Sequence, residues 1–382
     1  MTKTPSGGGS NTPHYLILDG LRGVAACAVL VYHLFEAVAF AAGATYQQMY
    51  HGFLCVDFFF ILSGFVMGHA YDARWQRMGV GRFLAMRIVR LHPMVVMGVL
   101  IGLAAYCMQG CVKWDGTQVP MGDLMACVLL SLLILPSTGA AEVRGNTELF
   151  PLNGPHWSLF FEYIGSILYA VTLHKLSTRS LAVATLCAAV AMCGWAVGMT
   201  DGSIATGWSS DPVIATGGLL RLLYGYPMGL LMARLYRSRE AAGGGRGWSM
   251  PVCTVALLLL VCVPHLDIPC FDTVFQLLCV GVAFPLLVWH GAGGRVSAPM
   301  ASATRWLGRL SYPLYAVHYP FIYLYIHWIN RGRMPFGWPG WMVAVGLFVW
   351  CVGLAAAVTV FYDEPIRRWL QQHLLKNRSE KK

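Results

Sequence analysis

The apolar residues of this chain fall into long blocks, separated by short polar stretches and without the alternation of half-buried strands. A bilayer core of about 30 Å needs roughly 20 apolar residues as a helix. Ten segments approach that length: 16–42, 52–70, 93–110, 156–174, 181–199, 212–236, 249–265, 271–290, 306–329 and 338–362. An eleventh run, 123–136, is 14 residues long and suits a re-entrant or interfacial piece better than a crossing. The pattern predicts an all-α fold, a polytopic transmembrane bundle of about ten spans with one short extra segment. Its parts are a polar, Gly/Ser-rich N-terminus over 1–14 that is expected to be disordered, a membrane domain over 15–365, and a basic tail over 366–382. The first apolar block is too long for a signal-peptide core and reads as a retained span.

Composition agrees. The 382 residues are 57% hydrophobic and 12% charged, with a mean hydropathy of +0.58. A soluble domain carries about twice that charge fraction. The net charge of +10 does not indicate a nucleic-acid partner, because the basic residues cluster in short loops, as the positive-inside rule demands. These loops are 71–92, with Arg74, Arg77, Arg82, Arg87 and Arg90; 237–248, with Arg237, Arg239 and Arg246; 291–305, with Arg295 and Arg305; and the tail, with Arg367, Arg368, Lys376, Arg378, Lys381 and Lys382. With all four in the cytoplasm, ten spans satisfy every basic loop, both termini lie inside, and loops 43–51, 200–211 and 330–337 face outward. The protein is thus expected in the cytoplasmic membrane. Most of the twelve cysteines sit within apolar blocks as small apolar residues. No CxxC, HxxxH, HExxH, P-loop or GxSxG pattern occurs, so no metal is expected.

Ionisable residues within apolar blocks mark function, because each costs several kcal/mol unless paired or hydrated. The first block holds Asp19, Arg22, His33 and Glu36. Arg22 and His33 are about three turns apart on one face, roughly 16 Å along the axis, and Glu36 lies one turn beyond His33. Asp19 and Arg22 could instead be interfacial anchors. In the second block Asp57 needs a partner, either His33 or an arginine of another helix, and Ser63-Gly64 permits close packing. Arg87 and Arg90, at i and i+3, form a basic patch whose guanidinium forks suit phosphates, as on a nucleotide or coenzyme A. His156, Trp157, Ser158 and Glu162 enter the 156–174 span, the fourth of the ten, from outside, and Ser158 and Glu162 share a face. A carboxylate there can orient an imidazole. His318, late in the chain, reads either as a site residue or as a core histidine satisfied by a backbone carbonyl.

The blocks LDGLRGVAACAVLVYHLF, VDFFFILSGFVM, FLAMRIVRLHP, NGPHWSLFFEY and LSYPLYAVHYP together resemble the acyltransferase 3 family, membrane-bound O-acyltransferases of bacterial glycans and related acceptors. The likeness covers residues 15–365. It keeps Arg-x10-His as Arg22 and His33, Arg-x2-Arg as Arg87 and Arg90, and Trp-Ser-x3-Glu as Trp157, Ser158 and Glu162. It implies transfer of an acyl group, usually acetyl, from cytoplasmic acyl-CoA to a hydroxyl of a surface glycan or its lipid-linked precursor. On this reading Arg22, Arg87 and Arg90 hold the phosphates of coenzyme A. His33 is general base or transient acyl carrier, and Glu162 or Asp57 orients the imidazole. Asp19, Ser63, His156, Trp157, Ser158 and His318 support the site. Many relatives carry an extracytoplasmic esterase-like domain at the C-terminus; here the chain ends about twenty residues after the last block, which implies a separate delivery protein or a directly presented acceptor. A small-molecule or lipid acceptor fits the same chemistry. A proton-coupled transporter using His33 and Asp57 is the alternative of another class, disfavoured by the lack of an evident inverted repeat.

Overall fold

The computed structural model describes residues 15–42, 51–241, 247–266, 268, 270–332 and 338–375. Residues 1–14, most of the 43–51 and 330–337 loops, Arg246, and the tail from Lys376 onward lie outside the described residues. The fold is all-helical, with two isolated bridges and no named strand among the described residues.

The helices are α1 (Leu16–Ala42), α2 (Cys55–Tyr71), α3 (Val80–Met108), α4 (Met121–Leu132), α5 (His156–Val171), α6 (Thr178–Met199), α7 (Pro212–Ala241), α8 (Met250–Val261), α9 (Phe271–Leu278), α10 (Phe284–Ala292), α11 (Ala298–Val317), α12 (Tyr319–Asn330), α13 (Trp338–Val358) and α14 (Glu364–Leu370). Single π-helical segments, Cys279–Ala283 and Thr359–Asp363, join α9 to α10 and α13 to α14. Among the described residues, six stretches are long and apolar enough to cross a membrane: Leu16–Phe40, His51–Arg77, Val80–Met108, Thr178–Met199, Phe271–Ala292 and Pro339–Leu375.

The other expected spans differ from simple crossings. α5 has 16 residues and α8 only 12. α7 is long, at 30 residues, but carries Arg221, Arg234, Arg237 and Arg239. The 306–329 block is two helices that meet at His318. The short 123–136 run is the 12-residue α4, as its length suggested. The expected basic loop 71–92 is largely helical. α3 begins at Val80 and runs 29 residues, so Arg82, Arg87 and Arg90 lie within it. A hydropathy scan starts the helix late because three arginines depress it; in the fold, Arg87 is buried and paired, which removes the reason to leave the apolar region.

Two contacts set the frame. α2 and α7 pack backbone to backbone: a Cβ on Gly64 would lie 2.0 Å from the Tyr226 carbonyl oxygen, and one on Gly229 would lie 1.9 Å from that of Ile61. Such small-residue contacts let membrane helices associate closely. α1 packs on α11 in the same way, with Gly23 against the Leu307 carbonyl. The second contact holds α1 and its four ionisable residues against the late helices.

Candidate active site

Among the described residues, two cavities border α1. The first, of 480 Å³, is bordered by Asp19 and Arg22 from α1, Ser63 from α2, Arg87 and Arg90 from α3, and Ser158 and Glu162 from α5. Arg305, Arg309, Asp363 and Arg367 close its other side. Six arginines thus face three carboxylates, an excess of three positive charges, and low-dielectric walls focus such a field on anions.

The arginines are not equivalent. Arg22 donates from Nε to Ser311 Oγ at 2.7 Å and from Nη2 to the Gly308 carbonyl at 3.1 Å, and it lies 3.4 Å from Asp19. Arg87 is buried and donates to Glu162 Oε1 at 2.6 Å and to Ser166 Oγ at 3.1 Å. Ser63 donates to the same Glu162 oxygen at 3.2 Å. Arg309 pairs with Glu364 and Arg367 with Asp363, each at 2.6 Å. Arg90 lines the cavity and has no hydrogen-bond partner among the described residues. Its guanidinium is the group best placed to accept a phosphate without breaking an existing pair.

The second cavity, of 210 Å³, lies toward the other end of α1 and holds His33 and Glu36. His33 Nδ1 is 2.6 Å from Glu36 Oε2, and Tyr319 donates to that oxygen at 3.2 Å. Nε2 has no hydrogen-bond partner among the described residues. A carboxylate on Nδ1 fixes the tautomer in which Nε2 can take a proton, the logic of an oriented catalytic base. His33 packs parallel to His318, with ring centroids 5.3 Å apart, and edge-on to Tyr319 and Tyr32.

The sequence brought the right residues near α1, and of the two partners expected for Asp57 the structure shows the arginine of another helix. Glu162 and Asp57 do not stand beside His33. Glu162 belongs to Arg87, in the arginine cavity. Asp57 is buried against Arg221 of α7, with contacts of 2.9 Å and 2.7 Å. The carboxylate on the imidazole is Glu36, whose signal was its place one turn from His33. His156 lines neither cavity; it is buried beside Gly98, where a Cβ would lie 2.8 Å from its Nε2. His318 is also outside both cavities, with Nδ1 on the carbonyls of Leu314 and Tyr315 at 3.0 Å each, the backbone-satisfied alternative, while its ring supports His33. Trp157 lines the histidine cavity, beneath the guanidinium of Arg221.

Other residues gave no sequence signal. Glu148, in the loop before α5, lines the histidine cavity and accepts from Tyr323. The buried Arg144 sits 3.5 Å over the Tyr323 ring and donates to Gln109 at 3.0 Å. This network holds Trp114 and Glu148 at the cavity wall. Burial pushes the Glu148 carboxyl up to about 7, against the opposing pull of Arg144. Arg309 joins the arginine cavity through helix pairing that periodicity could not reveal; Asp363, in the YDEPIRRWL segment, pairs with a nearby arginine, as its sequence neighbours suggest. Among the described residues, no cluster of three or more His, Cys, Asp or Glu could hold a metal.

A family model described as an acyltransferase domain matches residues 15–360. Protein 2 in the picA locus of Rhizobium radiobacter is 33% identical over 167 residues, 41% of this chain and 81% of the relative. A protein of Komagataeibacter xylinus, provisionally named membrane-bound transacylase BcsY, is 25% identical over 315 residues, 79% of this chain and 72% of the relative. Acyltransferase MdmB of Streptomyces mycarofaciens is 30% identical over 177 residues, 43% of this chain and 41% of the relative. No solved structure matches the chain significantly.

Proposed function

The chain belongs to the acyltransferase 3 family, and on that premise we propose that this membrane acyltransferase moves an acetyl group from cytoplasmic acyl-CoA to a hydroxyl of a surface glycan or its lipid-linked precursor. The observation that carries the proposal is the disposition of chemistry along α1. An arginine-rich cavity, in which Arg90 and Arg305 have no hydrogen-bond partner among the described residues, lies toward its start. An imidazole–carboxylate pair lies three turns on. This suits a donor with several phosphates on one side and a neutral nucleophile on the other.

Arg90 and Arg22 bind donor phosphates, with Arg305 at the exposed mouth. Arg87, held by Glu162 and Ser166, shapes the wall and contributes field. In the transfer step His33 Nε2 takes the proton of the acceptor hydroxyl while its oxygen attacks the thioester carbonyl. The C–O bond forms as the C–S bond breaks, and the imidazolium returns the proton to the departing thiolate. Glu36 holds the ring and balances its transient charge. A sugar acceptor is favoured by the lining of the histidine cavity, where Trp114, Trp157, Trp208 and Tyr319 offer flat faces and Glu36 and Glu148 accept hydroxyl hydrogen bonds.

The same reading sets the topology. Ten spans put both termini, and the arginine cavity near the start of α1, on the cytoplasmic side of the inner membrane. α5, α7, α8 and the α11–α12 pair then complete the crossings as short or broken helices, which membranes tolerate where neighbours satisfy the backbone. Mass spectrometry of surface glycans from cells with and without the gene tests the proposal. Loss of an acetyl mass from a defined sugar supports it; identical glycans in the two strains argue against the glycan acceptor.

A further inference from the structure

The two cavities approach each other at one place. Among the described residues, the linings share only Val56 of α2 and Tyr315 of α11. Both are buried, each with 6% of its surface exposed. The Tyr315 hydroxyl is 2.7 Å from Ser158 Oγ, and its ring meets the edge of Phe59 at 5.6 Å. The backbone behind it is locally irregular: α11 ends two residues later, and His318 Nδ1 bonds the Tyr315 carbonyl while its ring stacks on His33. In the partition between the cavities, Val56 and Tyr315 thus present side chains to both, Phe60 of the first lining meets Trp157 of the second at 6.5 Å, and among the described residues no ion pair joins the two linings.

Resting on the acyl-CoA reading above, this geometry assigns a specificity role to the partition. We propose that the acyl group passes between Val56 and Tyr315 to reach His33, and that the gap these two side chains yield sets the longest chain transferred. Phosphates stay with the arginines, so only the thioester end needs to cross. An acetyl group needs little more than a displaced tyrosyl ring. Each further methylene must be accommodated against Val56, Phe59 and the ring itself, and a single methylene in a tight apolar pocket discriminates by about tenfold or more.

The test is a donor competition. Membranes holding the full chain at matched abundance receive equal acetyl-, butyryl- and hexanoyl-CoA, and acylated products are quantified by mass spectrometry. The wild type should favour acetyl. Tyr315→Ala should raise the butyryl-to-acetyl product ratio about tenfold or more, whereas Tyr315→Phe, which keeps the ring and loses only the Ser158 bond, should keep the wild-type ratio. Val56→Phe should suppress transfer from every donor while the purified protein still binds coenzyme A. If Tyr315→Ala does not accumulate in the membrane, Val56→Ala gives the same reading with a smaller shift. A wild-type ratio in the enlarging variants, or unimpaired transfer by Val56→Phe, overturns the proposal. A wild type that yields no acyl product from any donor instead overturns the acyl-transfer reading on which it rests.

Discussion

His33 and Glu36 lie one turn apart on α1, with Nδ1 of the imidazole 2.6 Å from Oε2 of the carboxylate. Both come from one helix, and Tyr319 and His318, where α11 meets α12, brace the carboxylate and the ring from outside. Glu36→Gln should lower the transfer rate about a hundredfold or more with little change in the donor KM. Glu162→Gln should act on the donor side, raising that KM, because Glu162 holds Arg87. Steady-state kinetics with varied acyl-CoA separates the two. A large donor-KM effect from Glu36→Gln would contradict the assignment.

Arg90 has no hydrogen bond or ion pair to lose among the described residues; Glu162 and Asp363 act on it only through space. Arg90→Ala should leave protein abundance intact and raise the acyl-CoA KM about tenfold to a hundredfold, the worth of a hydrogen bond to a charged group. Arg87→Ala should do more harm, since it leaves Glu162 half-buried without its cation. Binding of coenzyme A to the two purified variants, beside their melting curves, distinguishes loss of contact from loss of fold.

Asp57 and Arg221 form a buried ion pair, each side chain 1% exposed. Asp57→Asn should cost about 3–5 kcal/mol of stability, the penalty of an unpaired buried charge. Replacing both residues by leucine should recover much of that loss. Thermal unfolding in detergent checks both expectations. Normal stability with selective loss of transfer in Asp57→Asn would return Asp57 to the catalytic group.

Glu148 gives a pH signature. Its carboxyl is raised to about 7 by burial, so across the range between its ordinary value and 7 the folded state binds more protons than the unfolded one. Stability from this group is present at low pH and is lost as pH rises through about 7. Glu148→Gln should flatten the decline in melting temperature between pH 5 and pH 8. An unchanged slope would show that another group controls it.

Much of this was legible in the chain. The all-helical class, the length of α1 and the short α4 follow from hydropathy and spacing, and the convergence of Arg22, Arg87 and Arg90 on one cavity is what the family resemblance implied. The start of α3 was not legible, because a buried arginine looks like a loop residue until its carboxylate partner on α5 is known. The break at His318 was hidden by continuous apolar residues, although Pro313 and Pro320 flank it. An arginine of another helix was one of the two partners expected for Asp57; that neither Asp57 nor Glu162 meets His33 was not legible, for a related reason. Glu162 and Asp57 could have met any of several helices, and their partners depend on the docking of α3 and α7, which one-dimensional periodicity does not encode. Arg144 and Glu148 act through a loop fold with no helical repeat to read.

The most direct measurement concerns His33. Inside-out membrane vesicles containing the wild type or His33→Ala, at equal abundance, receive acetyl-CoA labelled in the acetyl group, and label is followed into the lipid and glycan fractions. Label should enter with the wild type and be lost with His33→Ala, while both proteins still bind coenzyme A. Full labelling by His33→Ala, or none by the wild type in vesicles that contain acceptor, would contradict the mechanism.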